Sequence, residues 1–200
     1  MSVTLYDEAL VAKIKNWTEN TNVHIYGVND TRKLVETIAD ETNDKSIQLP
    51  VISISRVNGY QILNPNKRPM SYDGKMIESN IEKSVNLNAI PINITYQIDV
   101  WTRYLKEADE YMRNIIFNVI NFPKVEIGLE YNNVHIVHYS SIRIVTDVLD
   151  NSDAGFKITN GQFSRLSLGI SIDDAYLWDT RIRDNIVIDE DSLPIYVGEE

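Results

Sequence analysis

The sequence predicts an α+β fold of mixed α/β character. It expects a central, mainly antiparallel sheet, helices packed mostly on one face, a long loop and an extended C-terminal arm. Three observations predict it. First, Ile90, Ile92, Ile94, Tyr96, Ile98 and Val100 alternate with Asn93, Thr95, Gln97, Asp99 and Trp101. Period two is the signature of a half-buried strand, because successive side chains point to opposite faces. Second, the period then changes. Leu105, Ala108, Met112, Ile115, Ile116, Val119 and Ile120 recur every three or four residues, which lines one stripe of a helix. Lys106, Glu107, Asp109, Glu110, Arg113, Asn114 and Asn118 take the wet side. Third, the elements run helix, strands, helix, strands, an order that favours an antiparallel or mixed sheet with helices on one side.

The elements follow in chain order. Thr4 is placed to cap a first helix, with Asp7 three residues on as a variant capping box. Leu10, Val11, Ile14 and Trp17 carry that helix to about Thr18, and residues 20–22 end it. Residues 23–28 (VHIYGV) read as a short strand. Asp30 or Thr31 caps a weaker helix bearing Leu34, Val35 and Ile38, which dissolves in the polar run 40–45. Pro50 precedes the alternating strand 51–56, with Ile52 and Ile54 inward. Residues 57–86 read as a long irregular loop, because Asn58-Gly59, Asn64-Pro65, Arg68-Pro69 and Asp73-Gly74 are all turn signals. A loop of that length is usually functional or an assembly arm. After the strand and helix described above, Pro123 stops the helix. Residues 125–129 and 134–145 form two strands joined by the turn 130–133, and residues 147–155 are a polar loop. In the last strand Leu166, Leu168, Ile170 and Ile172 face one way and Arg165, Ser167 and Ser171 the other. Residues 1–179 are expected to make one domain, and 180–200 an acidic arm, extended or disordered, whose apolar runs could dock on a neighbour by strand addition.

Composition bounds the function. Two hundred residues, 43% hydrophobic and 24% charged, suffice for one ordinary core. No apolar run reaches the eighteen residues a membrane helix needs, and MSVTLYDEALVAKIKN has no basic segment followed by an apolar block, so neither membrane nor secretory signal is expected. The absence of cysteine excludes disulfides, thiolate metal sites and a cysteine nucleophile. A net charge of −10, with Asn66-Lys67-Arg68 the densest basic patch, argues against specific nucleic-acid binding.

The residues that invite chemistry do not assemble into any. His135 and His138 are three apart on a strand and so face opposite ways, which is wrong for a shared metal ion. Asp99 could be an acid or base, but no histidine or nucleophile pattern accompanies it. An ion pair with Arg103, or with an arginine on a neighbouring strand, is the expected use. Asp147, Asp150, Asn151 and Asp153 lack calcium-loop spacing. The serine-hydrolase, zincin, P-loop and dinucleotide motifs are all missing. No catalytic, cofactor-binding or metal residue is therefore expected, and no enzyme activity.

Residues 49–56 (LPVISISR), followed by 89–117 (AIPINITYQIDVWTRYLKEADEYMRNIIF) and 166–179 (LSLGISIDDAYLWD), resemble the tail terminator (tail-completion, sheath-stabiliser) proteins of contractile-tailed bacteriophages. The likeness spans about residues 5–179. It implies a structural virion protein of the tail or neck, assembled in the bacterial host cytoplasm. It would form a six-fold ring that caps the head-proximal end of tube and sheath, ends tail growth and presents the surface on which the head connector docks. Tube, sheath and connector proteins are the implied partners. Genomic DNA would pass through the lumen unbound, and no cofactor or membrane is involved. The alternatives are another neck, head-completion or baseplate component and, from a different class, a small hydrolase. Tyr176 and Trp178 read as an exposed aromatic pair that serves either an interface or core packing. With Ile186, Ile188 and Tyr196 of the arm they are the candidate assembly residues.

Overall fold

Of the 200 residues, the computed structural model describes 3–18, 22–39, 48–63, 70–78, 81–131, 134–152 and 163–179. The expected mixed fold is present, with strands predominating. Three helices, α1 (Thr4–Trp17), α2 (Val28–Ala39) and α3 (Leu105–Asn121), accompany nine strands: β1 (His24–Tyr26), β2 (Val51–Arg56), β3 (Gln61–Ile62), β4 (Met70–Glu78), β5 (Ile81–Thr102), β6 (Lys124–Tyr131), β7 (Val134–Ile144), β8 (Leu149–Asp150) and β9 (Ser164–Trp178). They form one sheet ordered β1-β2-β5-β9-β7-β6, with β3 and β4 also on β5 and β8 on β9. Only β1–β2 is parallel. The sheet curls, which brings β4 alongside β7.

β5 is the spine. One edge takes three partners in turn: β2 at residues 96–101, β3 at 92–93 and β4 at 81–89. Its other edge pairs with β9 from Thr102↔Ser164 to Ala89↔Trp178. The region 57–86 is therefore not a structureless loop. Asn58 and Gly59, at φ 56° and 75°, loop the chain out, and β3 then resumes along the edge that β2 had followed. Asp73-Gly74, read as a turn, lies inside β4, where Gly74 faces Val85. The turn signals were genuine for local geometry at Asn58-Gly59 and overridden by strand pairing at Asp73-Gly74.

The inward face of β5 (Ile92, Ile94, Tyr96, Ile98, Val100) and that of β9 (Leu166, Leu168, Ile170, Ile172) form the core with Tyr6, Leu10 and Ile14 of α1 and Ala108, Met112, Ile115 and Val119 of α3. Burying each large apolar side chain there contributes on the order of 1.5–3 kcal/mol. The stripe read for α3 is right at its centre and wrong at its ends: Leu105 and Ile120 are exposed. A smaller cluster on the opposite face joins Leu34 of α2 to Val51, Trp101 and Phe163, so two helices of three share a face.

Two helix starts differ from expectation. The N-cap of α1 is Val3, with no side-chain cap, because Asp7 is drawn into the core instead. α2 begins at Val28, ahead of Asp30 and Thr31. Thr31 is not a cap; its hydroxyl donates to the Ile54 carbonyl of β2 at 2.8 Å and ties the helix to the sheet.

The β5–β9 ladder has one irregularity. Ile92 faces Ala175 and Ile94 faces Ile172, so Asn93 opposes both Asp173 and Asp174. This is a β-bulge. Asp174 sits at φ 59°, a conformation that costs most residues about 1–2 kcal/mol and that Asp tolerates through its short polar side chain. Asp174→Val is expected to lower stability by roughly 1–2 kcal/mol, whereas Asp174→Gly should be near neutral. Urea unfolding of the two variants checks this.

Candidate interaction surface

Asp7, Asp99 and His138 are engaged by partners within the chain, while His135, Asp147 and Asp150 are exposed. Asp7 faces inward because it shares the α1 stripe with Leu10 and Ile14. Its carboxylate accepts from the Tyr96 hydroxyl at 2.8 Å and from Arg56 Nη2 at 2.8 Å. Burial pushes the Asp7 carboxyl above its ordinary range, against the Tyr96 hydrogen bond and the Arg56 charge, which both lower it. Burial first, and the Asp7 charge second, hold the Tyr96 phenol protonated as a donor. One turn of α1 thus grips β5 and β2 through a charge-assisted pair.

The adjacent residue grips β9. The Tyr6 hydroxyl accepts from the Tyr176 N–H at 2.8 Å and donates to the Tyr176 carbonyl at 3.2 Å. β7 pairs with β9 only as far as Ser141↔Asp173, so Tyr6 meets the β9 backbone just past the end of that pairing. Behind it, His138, Tyr176 and Trp178 form a ring cluster with all three centroid separations at 5.3 Å. His138 Nε2 donates to the carbonyl of the bulged Asp174 at 2.7 Å, and Ser140 Oγ donates to the same oxygen at 3.1 Å. Burial lowers the His138 pKa, opposed by that hydrogen bond and by the Asp174 charge.

Asp99 lies on the opposite face of β5 and pairs with Arg165 of β9, not with Arg103. Arg165 Nη2 is 3.0 Å from Oδ2, Gln97 Nε2 donates to Oδ1 at 2.9 Å, and Ser167 Oγ also donates to Oδ1. Arg165 stacks over the Trp101 ring, 4.6 Å from its centroid, and Trp101 Nε1 donates to Ser53 Oγ at 2.9 Å. This is a buried, hydrogen-bonded ion pair. Among the described residues, no group of three or more His, Asp or Glu converges on a possible metal position. A polar recess of about 230 Å³ lies beside the Asn58-Gly59 excursion, lined by Tyr60, Gln61, Asn93 and Thr95.

The expected exposed aromatic pair is a correction. Trp178 is only 4% exposed and belongs to the core; Tyr176 is half-buried against it. Tyr176 and Trp178 lie inward because the bulge re-aims the end of β9. Ile186, Ile188 and Tyr196 lie outside the described residues. Exposed apolar side chains occur at Val57, Tyr60, Ile62 and Leu63, at Tyr139 and Leu149, and, most exposed, about the ends of α3. There Phe117 is 59%, Ile120 64% and Phe122 60% exposed, and Tyr104 before the helix is 72% exposed. The signal in the sequence was available: Phe117 is four, seven and eleven residues from Arg113, Glu110 and Lys106, on the wet side of the wheel.

Neither family profiles nor curated proteins match this sequence. Among solved structures, the fold is similar to the sheath/tube terminator of PVC, an extracellular contractile injection system, in its extended state. Identity is 15% and the TM-score 0.49; the alignment covers 92% of this chain and 59% of that one. The chain thus spans a little over half the length of that structure, and a likeness this distant bears on neither function nor partners.

Tyr96→Phe leaves the buried Asp7 carboxylate short of a donor and is expected to cost about 1–3 kcal/mol. In a double-mutant cycle with Asp7→Asn, denaturant unfolding should show coupling of roughly 0.5–3 kcal/mol. For His138 the folded pKa is depressed, so the unfolded chain takes up the proton first. Its contribution to stability is full above about pH 6.5 and is lost as pH falls from there toward the folded value. The stability advantage of the native chain over His138→Gln should therefore shrink from pH 7 to pH 5, and an advantage that stays flat in paired unfolding curves would count against this.

Proposed function

We propose that this chain is a non-enzymatic structural subunit of a contractile-tail particle and acts as its terminator. In this reading it forms a ring, six-fold by the sequence resemblance. The ring caps the head-proximal end of tube and sheath, ends tail growth and offers the docking surface for the head connector. The observation that carries a role in assembly is the apolar end of α3. Phe117 and Ile120 on α3 and Phe122 at its C-cap are each about three-fifths exposed, on a helix otherwise anchored through Met112 and Ile115. Phe117 and Ile120, three residues apart, share one side of the helix, and large exposed apolar side chains side by side suit a contact surface. The resemblance narrows that role. Its blocks occupy β2, β5, α3 and β9, the continuous middle of the molecule. The engagement of Asp7, Asp99 and His138 by internal partners supports a scaffold over a catalyst. A net charge of −10 suits a lumen through which DNA passes with little attraction.

Native mass spectrometry and negative-stain imaging of the purified chain test this. Closed rings of six copies are expected, alone or with tube protein; a chain that stays monomeric in both settings overturns the reading. Label found at the distal end of the particle points instead to a baseplate part. Phe117→Glu combined with Ile120→Glu should leave the thermal midpoint within a few degrees, since both side chains are exposed. It should weaken ring formation at least thirtyfold, the effect of a hot spot of about 2 kcal/mol.

A further inference from the structure

We propose that the subunit contacts a second copy of itself head to tail, with the end of α3 on one copy seated against residues 57–63, the β3 excursion, on the next. This contact names the partner surface within the ring proposed above and rests on that reading. Two exposed apolar clusters carry it. Phe117, Ile120 and Phe122 are each about three-fifths exposed, and Val57, Tyr60, Ile62 and Leu63 each about two-fifths. The clusters are separate surfaces. β3 pairs with β5, whereas Phe122 leads into β6, the last strand in the order β1-β2-β5-β9-β7-β6. α1 lies between them. Its Asp7 holds Arg56, the neighbour of Val57. Its Lys13, about 9 Å further along the helix at 1.5 Å per residue, donates to the carbonyl of Lys124, just past Phe122.

Symmetry, size, shape and charge point to a second copy as the occupant. A two-fold contact sets one patch against itself, whereas a head-to-tail contact uses two different patches on every copy and closes into a ring where the rotation allows. Aromatic side chains present roughly 150–250 Å² each, so the α3 cluster exposes on the order of 300 Å², and the β3 cluster an area of the same order. A stable interface buries roughly 800 Å² per partner, with an apolar centre inside a polar rim. Each cluster is therefore the size of such a centre rather than of a whole interface. The shapes match as well. Val57 and Tyr60 also line the recess beside the Asn58-Gly59 excursion, so the β3 cluster is concave, whereas the α3 end projects two phenylalanine rings. Finally, copies that each carry a net charge of −10 repel one another, and contact is least opposed where charge is absent. Residues 57–63 (VNGYQIL) and 117–122 (FNVINF) contain no charged side chain.

Two variants of the full-length chain test this under the conditions in which the native chain forms rings. Phe117→Glu with Ile120→Glu removes the α3 surface, and Tyr60→Glu with Ile62→Glu removes the β3 surface. Where the second variant loses more than a few degrees of thermal midpoint, Tyr60→Ser with Ile62→Ser takes its place. By size exclusion with light scattering, each variant alone should be a monomer. Mixed one to one, they should form a dimer holding one chain of each and nothing larger. One intact α3 end then meets one intact β3 surface, and the outer ends of the pair are both dead. Dimers of the β3 variant alone would mean that the α3 end meets its own copy, and rings from either variant alone would mean that its altered surface is not used. A mixture that stays monomeric while the native chain forms rings would assign the ring to other surfaces. Each of these results overturns the inference and leaves the ring standing. A native chain that is itself monomeric, alone and with tube protein, is the separate result that overturns the ring reading and the inference with it.

Discussion

β5 carries twenty-two residues of backbone, and every N–H and C=O on that strand needs a partner on one edge or the other. Most of the fold is an answer to this demand. No single neighbour is long enough on the β2 side, so β2, β3 and β4 share the edge in sequence, and the Asn58-Gly59 excursion exists to pass from one stretch to the next. Pro91 cannot donate, and it falls in the gap between the β3 and β4 registers, where its carbonyl is used by the Leu63 N–H at 2.9 Å. On the far edge β9 serves thirteen residues of β5 with one bulge. The pleat then dictates the rest. Even-numbered residues from Ile92 to Val100 are apolar and draw α1 and α3 onto one face, while Gln97 and Asp99 build a polar layer with Arg165 and Ser167 on the other.

The bulge and the first turn of α1 belong to one device. Two residues against one at Asp173-Asp174 swing the end of β9, so that the Asp174 carbonyl meets His138 and Ser140, and Tyr176 presents its backbone to Tyr6. The left-handed Asp174 is thus supported by hydrogen bonds that a regular strand would not have made. Tyr6 and Asp7 are consecutive, and they hold β9 on one side and β5 with β2 on the other. Burial raises the pKa of Tyr6, Asp7 and Tyr96 alike. This clamp therefore tolerates polar groups only because each is hydrogen-bonded. The arrangement makes α1 a strut across strands that are not neighbours in the chain.

The regular elements were legible because their periods are clean: Ile90 to Val100 could only be a strand, and Ala108 to Val119 only a helix. Orientation was harder. Asp7 looked like a capping acid because local spacing cannot tell a cap from an inward carboxylate; its inward partners, Arg56 and Tyr96, are 49 and 89 residues away. The same limit applied to Asp99, whose partner Arg165 is 66 residues on. Turn signals failed where the register of a long strand outweighed them, as at Asp73-Gly74. Trp178 appeared exposed because nothing local announces that a bulge four residues earlier will turn it inward. The α3 surface was hidden for a simpler reason: a 3–4 spacing accepts Ile120 as core, and only the packing decides that the buried stripe runs through Val119 and leaves Ile120 exposed.

The exposed apolar side chains of α3 are what the proposed function rests on. A helix in a self-contained domain normally ends where its cover ends, because each extra apolar residue in water gains nothing for folding. α3 is buried through Val119 and ends at Asn121, yet Phe117 and Ile120 on its outer side and Phe122 at its C-cap are exposed. Propensity alone does not account for the choice, since polar residues would propagate the helix equally well and keep it soluble. By contrast two carboxylates, Asp7 and Asp99, are buried among the described residues, and each holds an arginine within 3.0 Å. Ion pairs inside and exposed apolar groups on α3 are the distribution on which the proposed assembly role rests.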